Sequence, residues 1–222
     1  MSTTLASALK LTFKDPAPVR RPKKCHLYHV WSLKRGKQIT LYGQLALHYW
    51  VLLEADPNVH YICERPYEIT RKGRNIISDF WIEAEQNRFT FLTSEKSKGK
   101  QRDAIFNCKS FIDFCKSQNI SVDVVSDLDM KPKTCYFSNW QSIIQQCVAN
   151  KEEISEDLLG DLAQYFEKYR ACTLGQLYVL FNVDPVILRA TAFELLRRHV
   201  LSFRNPETEF ISQNTTLEWG RS

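Results

Sequence analysis

Asp79, in the run Ser78-Asp79-Phe80-Trp81-Ile82, is an acid set into an otherwise apolar stretch, and Lys96, Lys98, Lys100 and Arg102 follow a short way downstream. A carboxylate on a strand can hold a hard cation, and lysines beside it can neutralise a phosphate. Each also has a plainer role. A lone strand aspartate is commonly a hydrogen-bonded hairpin residue, and a lysine run is commonly a solvated turn. Cys25, His26 and His29 offer half of a metal site, but no second ligand pair follows at zinc-finger spacing, so they are read as non-ligands. The chain has only seven glycines, and neither a phosphate-cradling P-loop nor a dinucleotide fingerprint is present.

Charge is concentrated near the start. Between Lys10 and Lys37 nine basic residues stand against one acid, Asp15, so this stretch carries +8 of a chain whose net charge is +5. Pro16, Pro18 and Pro22 exclude a helix from its first half. A basic extended arm over residues 1–36 is suited to a nucleic-acid backbone, because each neutralised phosphate releases counterions. Its candidate contacts are Arg20, Arg21, Lys23, Lys24, Lys34 and Arg35, with Lys98 and Lys100 as a second group.

The elements that must position these groups show in the apolar spacing. Leu45, His48, Tyr49, Leu52 and Leu53 share one helical face, and that helix must stop before Pro57. β-rich runs follow at 59–63, 67–70, 75–82 and 88–93, separated at Glu64-Arg65-Pro66, Lys72-Gly73 and Glu85-Gln86-Asn87. Ile105, Cys108, Phe111, Ile112 and Cys115 predict one amphipathic helix, then a strand at 120–125 and a helix at 139–148. This order predicts an α/β core of flanking helices on a mixed sheet over residues 37–150. Residues 149–154 are polar and read as a linker. Beyond them Ser155, the Thr173/Gln176 capping box and Asp184-Pro185 start three helices, and two short β-runs flank Asn205–Thr208. Three helices and a hairpin over 151–222 read as a winged helix, with Arg189, Arg197 and Arg198 on its third helix as candidate DNA-facing groups.

At 44% hydrophobic and 25% charged residues, the composition is that of an ordinary globular protein. The first residues lack the charged-then-apolar build of a signal peptide, and no apolar run has membrane-spanning length. The seven cysteines include no C-x-x-C pair, which fits reduced thiols in a cytoplasmic protein without a membrane partner. Trp31, Tyr49, Trp50, Phe80 and Trp81 are expected in the core.

The stretch from Leu52 through Glu54-Ala-Asp-Pro-Asn-Val-His-Tyr-Ile-Cys-Glu-Arg-Pro-Tyr-Glu-Ile69, followed by Gly73 and Ser78-Asp-Phe-Trp-Ile82, resembles the TnsA family, the endonuclease subunits of heteromeric bacterial transposons. Val124-Val-Ser-Asp-Leu-Asp129 and Phe137-Ser-Asn-Trp140 extend the resemblance, which covers about residues 36–148. It implies a restriction-endonuclease-like domain followed by a winged-helix domain. It also implies a Mg²⁺ site built from a helix glutamate, a strand aspartate and a Glu/Gln-x-Lys pair on the next strand. On this sequence the helix glutamate falls on Ala46, the aspartate on Asp79, and the final pair on Thr93-Ser94-Glu95 or Ser94-Glu95-Lys96. Only Asp79 keeps a metal-binding carboxylate at its position.

The resemblance therefore implies a transposition protein that binds transposon-end double-stranded DNA and assembles with a DDE transposase and an AAA+ ATPase regulator. Its nuclease site would be degenerate and no cofactor is expected. The alternative is an active Mg²⁺-dependent endonuclease cutting 5′ strands with Asp79, Glu95 and Lys96, Glu54 moving into the lost role. A third reading is a winged-helix binding module with no part in transposition.

Overall fold

The computed structural model describes residues 13–18, 25–66, 68–71, 74–130 and 134–220. Lys10, Arg20, Arg21, Pro22, Lys23, Lys24, Tyr67, Lys72 and Gly73, all named above, lie outside the described residues.

Strands β1 (Leu27–Ser32) and β2 (Lys37–Tyr42) form an antiparallel hairpin, Leu27 opposite Tyr42 and Ser32 opposite Lys37. The expected extended arm to residue 36 is thus corrected. Its last third is a hairpin in which Lys34 and Arg35 occupy the turn and fold inward. Gly43 follows at φ 89, a left-handed conformation that an L side chain resists, and a Cβ there would press on Cys25 Sγ at 3.3 Å. Helix α1 (Gln44–Ala55) starts after it and ends at Asp56, before Pro57. Its buried set is Ala46, Tyr49, Trp50, Val51, Leu53, Glu54 and Ala55. Of the expected face only Tyr49 and Leu53 are in that set, Leu45, His48 and Leu52 being half-buried, because α1 is covered from two directions by the sheet and α5.

The main sheet has the order β3-β6-β7-β8, from β3 (Tyr61–Glu64), β6 (Phe80–Glu83), β7 (Arg88–Thr93) and β8 (Ser121–Ser126). The first two pairings are antiparallel, and β7 with β8 is parallel. The expected strand over 75–82 is split. β4 (Glu68–Arg71) and β5 (Arg74–Ile77) form a separate two-stranded sheet, and the chain breaks at Ser78-Asp79 before entering β6. Strand alternation sorts the two faces. Ile62, Phe80 and Ile82 face α1, whereas Cys63, Trp81, Phe89 and Phe91 face the helices that connect β7 to β8.

Those helices number two, α2 (Glu95–Phe106) and α3 (Lys109–Ser117), where a single helix was expected. Ile105 and Phe111 both reach the sheet, yet six residues along one helix would set them roughly 120° apart. The break at Asn107-Cys108 resets the phase. A short α4 (Asp127–Met130) leads to α5 (Thr134–Ala149), which begins five residues earlier than expected and buries Phe137, Trp140, Ile143, Ile144 and Cys147.

The C-terminal part contains α6 (Glu156–Tyr169), β9 (Ala171–Thr173), α7 (Leu174–Leu180), α8 (Pro185–Arg197), β10 (Leu201–Phe203) and β11 (Thr216–Trp219). The three caps expected at Ser155, Thr173 and Asp184 are formed. The strands make an antiparallel sheet ordered β10-β11-β9, with a long loop over 204–215 where a four-residue turn was expected. Helix α8 packs on α5, and from Leu188 to Leu196 all but Arg189 are buried. One hydrophobic core runs from Ile39 of β2 through α1 and α5 to Leu217 of β11. Buried Asn139 of α5 adds a polar clamp across the join. Its Nδ2 donates to Pro206 O (3.0 Å) and Glu209 O (2.7 Å), and its Oδ1 accepts from the Ile211 amide (2.9 Å). Residues 149–154 are therefore a turn between packed parts, not a free linker.

The aromatic expectation holds except at Trp31, which is 37% exposed under the Lys151 ammonium, 5.2 Å from its ring. None of the seven cysteines is in a disulfide, and burial raises the thiols of Cys63 and Cys115 to about 11. No helix among the described residues is long and apolar enough to cross a membrane.

Because α5 and α8 share one core, the full chain should melt in a single calorimetric transition. A 151–222 fragment should show no cooperative melt on its own, since the α8 surface that α5 covers would face water. A cooperative fragment melt at the temperature of the full chain would refute this.

Candidate functional site

Ala46 of α1 and Asp79 at the mouth of β6 line the same small cavity, about 150 Å³, together with Leu41, Tyr42, Glu64, Arg65, Ile77 and Phe80. Local folding explains the meeting. The Gly43 turn sets α1 so that its first turn packs over the sheet. The break at Ser78-Asp79 lets the Asp79 carboxylate turn inward instead of following the strand alternation.

Asp79 is held at three points. Its amide donates to Thr90 O (2.9 Å), its carbonyl accepts from the Arg65 amide (2.8 Å), and its Oδ2 accepts from the Leu92 amide (2.6 Å). Burial pushes its carboxyl up to about 7, against the Leu92 N–H and the Arg65 charge, which both favour the ionised form. Arg65 has a left-handed φ of 45 and lays its guanidinium 4.4 Å from the centre of the Tyr42 ring, donating from Nη1 to Thr40 O (2.5 Å). Glu64 is committed elsewhere. It pairs with Arg35 Nη1 at 2.8 Å, both side chains 5% exposed or less. The Arg35 guanidinium also donates to Lys14 O and lies 5.2 Å from the Tyr61 ring.

The other expected site residues fall away from this cavity. Strand β7 ends at Thr93, so Ser94-Glu95-Lys96 is the cap and first turn of α2 and not a strand pair. Lys96 is exposed there, and Glu95 accepts a hydrogen bond from Ser126 Oγ (2.5 Å). The β7 residue bonded to the Asp79 carboxylate is Leu92, whose side chain cannot replace the family's acid or lysine. Lys98 bridges to Asp129 (2.8 Å), and Lys100 is exposed on the same helix. Lys34 and Arg35 are corrected as DNA contacts. The Lys34 ammonium donates to the carbonyls of Asp56 and Val59, and burial lowers it to about 8. Glu54 does not move into the site. It accepts from the Ser32 hydroxyl, the Lys34 amide (3.2 Å) and the Trp50 indole (3.1 Å), under the hairpin turn, and burial raises its carboxyl. Arg189 meets Gln146 of α5 (3.2 Å), and Arg197 and Arg198 share Glu194, so none of the three is presented as a major-groove reader would be.

The residues present do not fit Mg²⁺. Outside the Glu64–Arg35 pair the cavity offers one carboxylate, Asp79, beside a guanidinium and an alanine, where a hard cation needs several oxygens. Among the described residues, no three His, Cys, Asp or Glu are placed to hold a metal. Sequence reasoning misses Arg65. Glu64-Arg65-Pro66 reads as a break between strands, and the signal it carries is a pair of charges directly abutting an apolar strand. No protein-family model and no curated protein matches this sequence.

The raised Asp79 carboxyl makes a pH prediction. An acid whose folded pKa lies above its unfolded value stabilises the fold fully below about pH 4, and that contribution is lost as pH rises through 7. Asp79→Asn keeps an acceptor for Leu92 and removes the titration. It should raise the melting temperature at pH 8 by roughly 5 °C, on the order of 2 kcal/mol, and leave it unchanged at pH 4. Glu54 shifts in the same direction in both proteins and cancels. Equal melting shifts at the two pH values would show that Asp79 is ionised throughout.

Proposed function

We propose that this chain is a TnsA-like transposition protein that binds transposon-end DNA and assembles with a DDE transposase and an AAA+ regulator without cutting DNA itself. The observation that carries the reading is the meeting of Ala46 and Asp79 in one cavity. The family resemblance assigns these two positions to a helix glutamate and a strand aspartate that share a metal. They lie 33 residues apart in sequence, and nothing in composition or periodicity requires them to meet. The order of elements supports the same reading. A helix, an antiparallel β3-β6-β7 set, a parallel β8 and a closing helix is the expected layout of a restriction-endonuclease-like core. The C-terminal α6-β9-α7-α8-β10-β11 order supports the winged-helix reading of that part.

The architecture also divides the partners. In a winged helix that reads DNA, the third helix enters the major groove. Here α8 is sealed by α5, so DNA contact falls to the basic segment around Arg20, Arg21, Lys23 and Lys24 and to the exposed Lys96 and Lys100. The outer end of the C-terminal part carries Val179, 87% exposed, with Leu180 and Val186, an apolar surface suited to a protein partner.

Replacing Arg20, Arg21, Lys23 and Lys24 with Ala leaves the β1–β2 hairpin intact, unlike a deletion through residue 36. Affinity for duplex DNA by fluorescence anisotropy should fall, and the salt slope should flatten by up to ~0.9 for each phosphate no longer neutralised. Labelled end DNA should remain uncut on the 5′ strand with Mg²⁺ or Mn²⁺, with the transposase present. An unchanged slope overturns the arm, and 5′ cleavage abolished by Asp79→Ala overturns the non-cutting reading.

A further inference from the structure

We infer that the Arg65 guanidinium is a built-in cation that keeps a divalent metal out of the Asp79 cavity. The inference deepens the proposed function and rests on its assignment of Ala46 and Asp79 to a former metal site.

Three independent features of Arg65 converge. Its backbone is in the left-handed region at φ 45, a conformation that a non-glycine residue resists and that persists only when the surroundings enforce it. They do so here at both peptide groups. The Arg65 amide donates to Asp79 O (2.8 Å), and the Arg65 carbonyl accepts from the Ala17 amide (2.8 Å) of the N-terminal segment laid across it. Next, the side chain is fixed by Tyr42 beneath it and by Thr40 O at its tip, both on β2. Finally, its Nε is buried with no hydrogen-bond partner among the described residues, as are those of Arg35 and Arg189, so its charge is only partly offset by hydrogen bonds.

The surrounding charges fit this assignment. Arg65 and Asp79 line the cavity together, and the Arg65 charge acts on the Asp79 carboxyl. The second acid on the cavity wall, Glu64, is neutralised by Arg35 at 2.8 Å. Arg35 thus neutralises one of the two acids, and Arg65 places a second guanidinium on the wall beside the other. A divalent cation entering here would meet a fixed like charge within a low-dielectric pocket and gain a single carboxylate. Loss of the helix glutamate at Ala46 and presence of a cation at Arg65 are then two sides of one change. An acid at position 46 is useful only with a metal, and a guanidinium in the cavity excludes that metal.

Mn²⁺ binding followed by electron paramagnetic resonance tests this on the full chain. The wild type and Ala46→Glu should both bind no Mn²⁺ in the cavity. Arg65→Gln combined with Ala46→Glu removes the charge and restores an acid, while the Gln amide can still donate toward Thr40 O. That double variant should bind one Mn²⁺ at least ~10-fold more tightly than Ala46→Glu alone, and adding Asp79→Asn should abolish the gain. Equal binding by Ala46→Glu and the double variant, or wild-type binding that Asp79→Asn removes, would overturn the inference. A folded double variant that binds nothing would also overturn it. If the double variant loses its cooperative melt, Ala46→Glu decides alone, binding refuting and no binding supporting the assignment. Wild-type affinity for duplex DNA in EDTA is read separately. Its absence would remove the proposed function and leave the Mn²⁺ result standing.

Discussion

Helix α5 is the constraint on which the rest of the molecule depends. It presses on α1 with one side and on α8 with the other, and its Ile143, Ile144 and Cys147 are buried in a core continuous across both. Everything near the Asp79 cavity follows from that clamp. With α5 behind it, α1 must lie against the sheet, which brings Ala46 over the mouth of β6. With α5 against it, the buried stretch of α8 from Ala190 to Leu196 is not free to enter a DNA groove. Asn139 extends the clamp in polar form by tying the 204–215 loop to the same helix. A buried asparagine bonded through both ends of its amide to backbone groups is costly to displace.

The hairpin turn at Lys34-Arg35 shows how a charge-rich segment can be structural. Two cations that resemble a DNA-binding arm in sequence are used to satisfy carbonyls of Asp56 and Val59 and the carboxylate of Glu64. Burying such charges gains little net stability, but removing one partner leaves the other uncompensated. The arrangement therefore fixes the position of the hairpin relative to α1 and β3. Glu54 belongs to the same region. Donors from Ser32 and Lys34 lock the α1 C-terminus to the turn, and Trp50 of α1 holds the same carboxylate from within the helix.

The chemistry of the Asp79 cavity is set by what surrounds one carboxylate. A metal site needs acids from separate elements to converge. Here the converging groups are an alanine, a leucine amide and a guanidinium. The raised carboxyl is the expected response of an acid taken out of water.

Much of the local structure was legible in the residues. Helix caps at Ser155, Thr173 and Asp184, the stop at Pro57 and strand β7 at 88–93 follow from capping groups, proline sterics and alternation, all of which act within a few residues. The α/β layout followed from the order of those elements. The features that differ from expectation share one cause. The α2–α3 break, the split at Ser78-Asp79, the third strand β9 and the inward turn of Lys34 and Arg35 are each decided by a partner distant in sequence. Asp79 could be singled out from its neighbours, but that it shares a cavity with Ala46 and Arg65 was decided only by the tertiary structure. Local spacing determines which face a side chain shares with its own element. Which charges end up in one low-dielectric cavity depends on how those elements pack, and packing is a property of the whole core.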